Sequence, residues 1–177
     1  MEVAQAIATK RAVREFSDRP LPREAVEAIL RAGRRAQSSK NTQPWVFIAV
    51  QERASLIALS RTGTYASHLA GAALAVAILT PDPSQRWSIL FDAGQAASYM
   101  QLAAWDLGIA SCLATIYEPE KARAILVFPE AYHLHVALSF GFPADPALLT
   151  APPRRGGRRA IEALVHHERW SQNSSKA

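Results

Sequence analysis

The sequence predicts a β-sheet covered by helices, of the α/β or α+β class, and three observations lead there. Apolar runs of strand length alternate with helical patterns from Trp45 to Gly141. A chain of 177 residues, 49% of them hydrophobic, carries enough apolar material to build the core of one domain. Proline and glycine punctuate the boundaries, at Pro20-Leu21-Pro22, Pro81-Asp82-Pro83, Gly108 and Phe142-Pro143. One domain over residues 1–170 is expected, followed by a disordered tail from Ser171 to Ala177.

The elements follow in order. Val3, Ala6 and Ile7 recur at helical spacing and predict an amphipathic opening helix that runs toward Lys10. Pro20-Leu21-Pro22 stops the chain and suits the start of a second helix, whose core-facing stripe is Val26, Ile29, Leu30 and Gly33, with Arg31, Arg34 and Arg35 outside it. Trp45 to Val50 reads as a buried strand, Ala54 to Ser60 as a short helix, and Arg61 to Tyr65 as a loop. Ala73 to Thr80 makes a second strand, and Pro81 to Ser84 breaks the chain.

From about Ser84 to Leu107 an alanine-rich pattern, with Gly108 beyond it, predicts the longest helix. Ala93, Gly94, Ala96, Ala97, Ala103 and Ala104 are small enough to admit another helix closely, so this helix is expected to be central and to cross a partner subunit's copy. Cys112, in the run Ile109 to Thr115, reads as a small core residue. Pro119 to Val127 forms a short helix. Tyr132 to Gly141 alternates as a third strand, with Leu134, Val136 and Leu138 on one face and His133 and His135 on the other. Ala151 to Gly157 reads as a linker.

Composition narrows the function classes. The formal charge of +5 is distributed as basic ends around an acidic middle, so either the termini converge on one anion or they are basic tails. A nucleic-acid module lacks support, because no clustered aromatics or recognisable binding motif accompany the basic residues. A single cysteine excludes an intrachain disulfide framework, and cytoplasm is the expected compartment. No membrane span is expected, since no apolar run reaches the roughly 18 to 20 residues one needs. Two histidines at alternating positions are weak evidence for a metal, and His166-His167-Glu168 adds little.

Ser38-Ser39-Lys40-Asn41-Thr42-Gln43-Pro44-Trp45 gathers hydroxyls and carboxamides at one strand end. By itself the stretch fits either a plain helix-to-strand connection or a loop that meets the edge of a planar heterocycle. It closely resembles the Ser-Ser-x-Asn-x-Gln-Pro-Trp signature of the nitroreductase family, flavin enzymes that bind FMN at the interface of an intertwined homodimer. Lys10-Arg11-Ala12-Val13-Arg14-Glu15-Phe16 resembles the same family's Arg-Arg-Ser-x-Arg-x-Phe block, with Ala12 departing from serine. Asp92-Ala93-Gly94-Gln95-Ala96 and Leu107-Gly108-Ile109 are similar to its central-helix pattern, with Ala110 in place of a common glycine. Arg158-Arg159 ahead of Ala160 to His166 resembles its basic C-terminal block.

The resemblance implies a mainly antiparallel central sheet with helices on both sides, an α+β sandwich. It implies that Lys10, Arg11, Ala12, Arg14, Ser38, Ser39, Asn41, Gln43, Arg158 and Arg159 meet FMN, with Ala114 and Thr115 passing the flavin ring. It further implies a homodimer and a ping-pong reaction, in which hydride from NADH or NADPH passes through FMN to an electron-poor small molecule such as a nitroaromatic or quinone. No side chain is required as a nucleophile. An alternative within the family is a different use of FMN: flavin fragmentation, peptide-ring oxidation or non-catalytic binding.

Overall fold

Four antiparallel strands among the described residues, β1 (Val46–Val50), β2 (Leu74–Thr80), β3 (Ala110–Thr115) and β4 (His133–Gly141), lie in the order β1-β2-β4-β3 at the centre of an α+β fold. The computed structural model describes residues 1–151 and 157–170; residues 152–156 of the expected linker and the expected tail, Ser171 to Ala177, lie outside the described residues. The elements are α1 (Val3–Thr9), α2 (Arg23–Arg34), β1 (Val46–Val50), α3 (Arg53–Leu59), β2 (Leu74–Thr80), α4 (Ser88–Asp106), β3 (Ala110–Thr115), α5 (Pro119–Leu126) and β4 (His133–Gly141). Among the described residues no helix is long and apolar enough to cross a membrane.

Strand β2 is buried at every position, because it lies inside the sheet and helices cover both faces. On one face Ala75, Ala77 and Leu79 pack with Leu56 and Leu59 of α3 and Ala122 of α5. On the other, Leu74, Val76 and Ile78 meet Ile29 of α2 and Ala93, Ala97 and Met100 of α4. Helices α2 and α4 approach so closely that a Cβ on Gly33 would overlap the Met100 side chain. A side chain at this position of the predicted stripe would have to displace Met100.

Strand β3 is the element the sequence does not announce. Ala110 to Thr115 is mostly small residues without a β-branched run. Its strand state comes from the ladder to β4, Ala110 opposite Gly141 through Thr115 opposite Val136. The expected shared face of Leu134, Val136 and Leu138 is also corrected. The register shifts between Ile78 and Leu79, which pair with Val136 and Leu134, so β4 carries a bulge around His135. Leu134 then joins the α3 and α5 face, while Val136, Leu138 and Phe140 belong to the α2 and α4 face. The longest helix begins at Ser88, later than expected, because the Asp82 carboxylate first caps a separate 3-10 turn, Pro83–Gln85, by accepting the Ser84 N–H.

The segment after α1 runs along the outer edge of β3. Ala12 bridges Ser111 in parallel, and the Val13 N–H donates to the Ser111 carbonyl at 3.0 Å. Phe16 bridges Pro143 further on. The basic block is thus fixed against the sheet by backbone hydrogen bonds before any side chain contributes.

Candidate active site

At the C-terminal half of α4 a cleft of about 430 Å³ gathers Lys10, Arg11 and Ala12, Ser98 and Gln101 from α4, and Arg158 from the far end of the chain. Among the described residues no carboxylate lines it. Arg11 is aimed by backbone: its Nε donates to the Thr9 carbonyl at 3.3 Å and its Nη2 to the Ala151 carbonyl. Trp105 anchors the end of α1 from below, its Nε1 donating to Thr9 Oγ1 at 2.9 Å. Burial pulls the Lys10 ammonium below its ordinary pKa, while the nearby Cys112 pulls it the other way.

Arg14 and Arg159 stand apart from this lining. Arg14 is exposed, and its charge acts on His68 and Cys112. Arg159 turns back to donate from Nη2 to the Ala163 carbonyl at 3.0 Å. Of the two adjacent C-terminal arginines, Arg158 is the one that reaches the cleft.

The Ser38–Gln43 loop sits at the other end of α4. Ser38 Oγ accepts the Gln43 N–H at 2.9 Å, and Gln43 Nε2 donates to Asn41 Oδ1 at 3.2 Å. The backbone takes positive φ at Lys40 (53°), Asn41 (53°) and Gln43 (46°). Ser38 and Ser39 border a cleft of about 270 Å³ with Trp87, Phe91 and Asp92. From Asp92 to Ser98 or Gln101 is six to nine residues of helix, roughly 9 to 14 Å at 1.5 Å per residue. Helix α4 therefore connects the two predicted regions.

Ala114 and Thr115 lie on β3. Ala114 is 1% exposed, packed in the core on the α3 and α5 face and paired with Ala137 of β4, so it offers a ligand no open group, whereas Thr115 is exposed. A Cβ on Gly63 would overlap the Thr115 carbonyl, so the loop before Tyr65 presses on this strand end. The Thr62 carbonyl accepts the N–H groups of Tyr117 and Glu118 at 2.8 and 3.0 Å.

Beside them His68, 5% exposed, meets Ser139 Oγ through Nδ1 at 2.8 Å, and its buried Nε2 has no hydrogen-bond partner. Burial first, and the Arg14 guanidinium second, hold His68 below the usual imidazole range; the Leu113 carbonyl offsets part of this. Burial raises the Cys112 thiol, against the pull of Arg14 and Lys10, so it is a poor nucleophile. His133 and His135 stack on each other at 6.4 Å, and among the described residues no group of three or more His, Cys, Asp or Glu could hold a metal.

Sequence reasoning passed over Asp92, Ser98 and Gln101 as site residues. Asp92 is 2% exposed, and an acid inside the apolar stripe of a helix was itself a signal, because such a group is buried only with partners. Ser98 and Gln101 interrupt an alanine-rich face at the cleft. The lining suits an anionic, phosphorylated ligand: three cations and a carboxamide, with no opposing acid among the described residues. Ala12 brings no hydroxyl and the Ser98 hydroxyl already donates to the Gly94 carbonyl at 2.9 Å, but Gln101 Nε2, which donates one hydrogen to Ser111 Oγ at 3.3 Å, keeps a second.

The nitroreductase family model matches residues 7–62 and 53–142. This chain belongs to the nitroreductase family. Family membership makes it an oxidoreductase. It is 32% identical over 179 residues to an Archaeoglobus fulgidus protein named "Putative NADH dehydrogenase/NAD(P)H nitroreductase", with 96% of this chain and 99% of that protein covered. A solved FMN-dependent nitroreductase from Clostridium difficile matches with a TM-score of 0.82 and 27% identity, covering 94% of this chain and 99% of that one. The NfrA1 nitroreductase of Bacillus subtilis shares the fold, with a TM-score of 0.85 at 19% identity, covering 97% of this chain and 76% of its own.

Proposed function

We propose that this nitroreductase-family protein is an FMN-dependent oxidoreductase that carries hydride from NADH or NADPH to an electron-poor small molecule, such as a nitroaromatic or quinone, in a ping-pong cycle. The observation that carries this reading is the cleft joining Lys10, Arg11 and Arg158 with no acid among the described residues, and the Ser38–Gln43 loop tied to the other end of the same helix. Bound FMN would supply the hydride chemistry that no side chain here can perform. Lys10, Arg11 and Arg158 would hold its phosphate, and the Gln101 carboxamide would supply a hydrogen bond that Ala12 cannot. Ser38, Ser39, Asn41 and Gln43 would meet the ring edge, and the exposed end of β3 at Thr115 would flank it.

A homodimer with FMN at the subunit interface is part of the proposal. Apolar side chains border both regions without cover in one subunit: Ile7 is 64% exposed on α1, and Trp87 and Phe91 are 81% and 62% exposed at the start of α4. The small residues Gly94 and Ser98 leave that helix approachable, and a two-fold contact would bring one subunit's loop toward the other's basic cleft.

The visible spectrum of the purified protein tests the reading, together with steady NADH or NADPH oxidation in the presence of a quinone or nitroaromatic. About one FMN per chain, acceptor-dependent turnover and a dimer in light scattering are expected. A colourless protein whose melting temperature ignores added FMN sinks it. FMN binding without turnover would favour the non-catalytic role.

A further inference from the structure

We propose that Asp92 and Arg86 are positioning residues that fix the shape of the Ser38–Gln43 loop for flavin binding, an inference that rests on the flavin reading of that loop. Asp92 lies buried near the start of α4, and both of its carboxylate oxygens face the Ser39 N–H, Oδ1 at 3.2 Å and Oδ2 at 3.1 Å. Arg86, in the connection ahead of α4, donates from Nη2 to Thr42 Oγ1 at 2.7 Å and stands 4.0 Å from Asp92 Oδ2. The loop is therefore gripped at residues 39 and 42.

Between and beside those grips lie Lys40, Asn41 and Gln43 at positive φ. Non-glycine residues rarely adopt that conformation, and three together persist only where outside contacts over-determine the backbone. The loop's own bonds, Gln43 to Ser38 and Gln43 to Asn41, set its internal shape but do not tie it to the sheet or to α4. Asp92 and Arg86 supply that tie. Arg86 Nε is buried without a hydrogen-bond partner, so the guanidinium meets Thr42 and Asp92 while one of its own donors goes unsatisfied. A side chain that merely decorated the surface would turn that donor to water.

Arg86→Ala and Asp92→Asn in the full chain test the assignment. The carboxamide introduced by Asp92→Asn retains one acceptor oxygen but sets an NH2 group against the Ser39 N–H and the guanidinium, and Arg86, only partly buried, can be removed without opening the core. Three quantities are read: FMN affinity by titration, the circular dichroism of bound flavin, and amide hydrogen exchange at Ser39. Both variants are expected to bind FMN about tenfold more weakly. They should also shift the flavin signal and exchange the Ser39 amide at least tenfold faster, while the amides of β2 stay protected. Arg86→Lys, which keeps the charge but loses the planar fork, should recover part of the affinity.

Parental affinity with an unchanged flavin signal in both variants overturns the assignment. Weakened binding accompanied by faster exchange throughout the sheet overturns it too, because that is a general loss of stability. If the parent chain itself binds no FMN, the flavin reading fails separately, and Ser39 exchange in the flavin-free protein still decides whether the pair holds the loop.

Discussion

At the loop end of α4 the polar groups answer one another, whereas at the basic end Arg11 meets backbone carbonyls and, among the described residues, none of the three cations meets an acid. Arg86, Thr42, Ser39 and Asp92 are linked by hydrogen bonds in the protein alone, and Ser38, Gln43 and Asn41 by others. Lys10, Arg11 and Arg158 join no ion pair among the described residues. The difference separates two ways of preparing a site. One end is organised in advance, so its residues should matter to stability with or without a ligand. The other concentrates charge that only an incoming anion can balance, so its residues should matter mainly to binding.

The largest expected effect is at the basic end. Replacing Arg11 and Arg158 together by alanine should weaken FMN binding on the order of a hundredfold or more, since each charge-assisted bond contributes about 1.5 to 3 kcal/mol. Riboflavin, which lacks the phosphate, should be affected far less, and the flavin-free melting temperature should fall only by what the Arg11 bonds to the Thr9 and Ala151 carbonyls contribute. Arg159→Ala should stay close to the parent, because its guanidinium is turned to the Ala163 carbonyl. Equal losses for FMN and riboflavin in parallel titrations would break the contrast between the two ends.

Next in size is the loop end. Ser38→Ala removes the acceptor of the Gln43 N–H and should cost about 0.5 to 1.5 kcal/mol in denaturant unfolding of the flavin-free protein. If that variant loses flavin affinity with no change in flavin-free stability, the loop is not organised in advance.

Proton linkage sharpens the comparison further. Burial lowers the Lys10 pKa below 10.5, and the charged form is the one that attracts phosphate. FMN affinity should therefore fall as pH rises, beginning below 10.5 and tracking Lys10, and Lys10→Gln should flatten that profile. His68, held below 6.5, is neutral in the folded protein where the unfolded chain already binds a proton. The unfolded state then carries more protons below 6.5, so stability should rise with pH through that window and drop on acidification. His68→Gln should remove this slope in melts across pH.

The smallest effect belongs to Cys112. It is 1% exposed and its thiol is raised by burial, so alkylation should wait for unfolding, and Cys112→Ala should change FMN affinity by less than about twofold.

Much of this was legible in the chain by itself. The apolar stripe of α2, the strands from Trp45 and Ala73, and the alanine-rich α4 follow from periodicity, which local covalent geometry imposes directly. The polar loop and the two basic blocks stood out because residue type and order survive in a one-dimensional record. Tertiary structure decided the rest. The mostly small residues of β3 become a strand only against β4, and the bulge at His135 moves Leu134 to the opposite face, because pairing register is a property of two strands together. The choice of Arg158 over its neighbour depends on where the returning chain faces the cleft, and Asp92 acquires its partner from 53 residues earlier. Charge and hydrogen-bonding capacity belong to single residues, but burial, field and the direction of a donor arise only when distant segments meet.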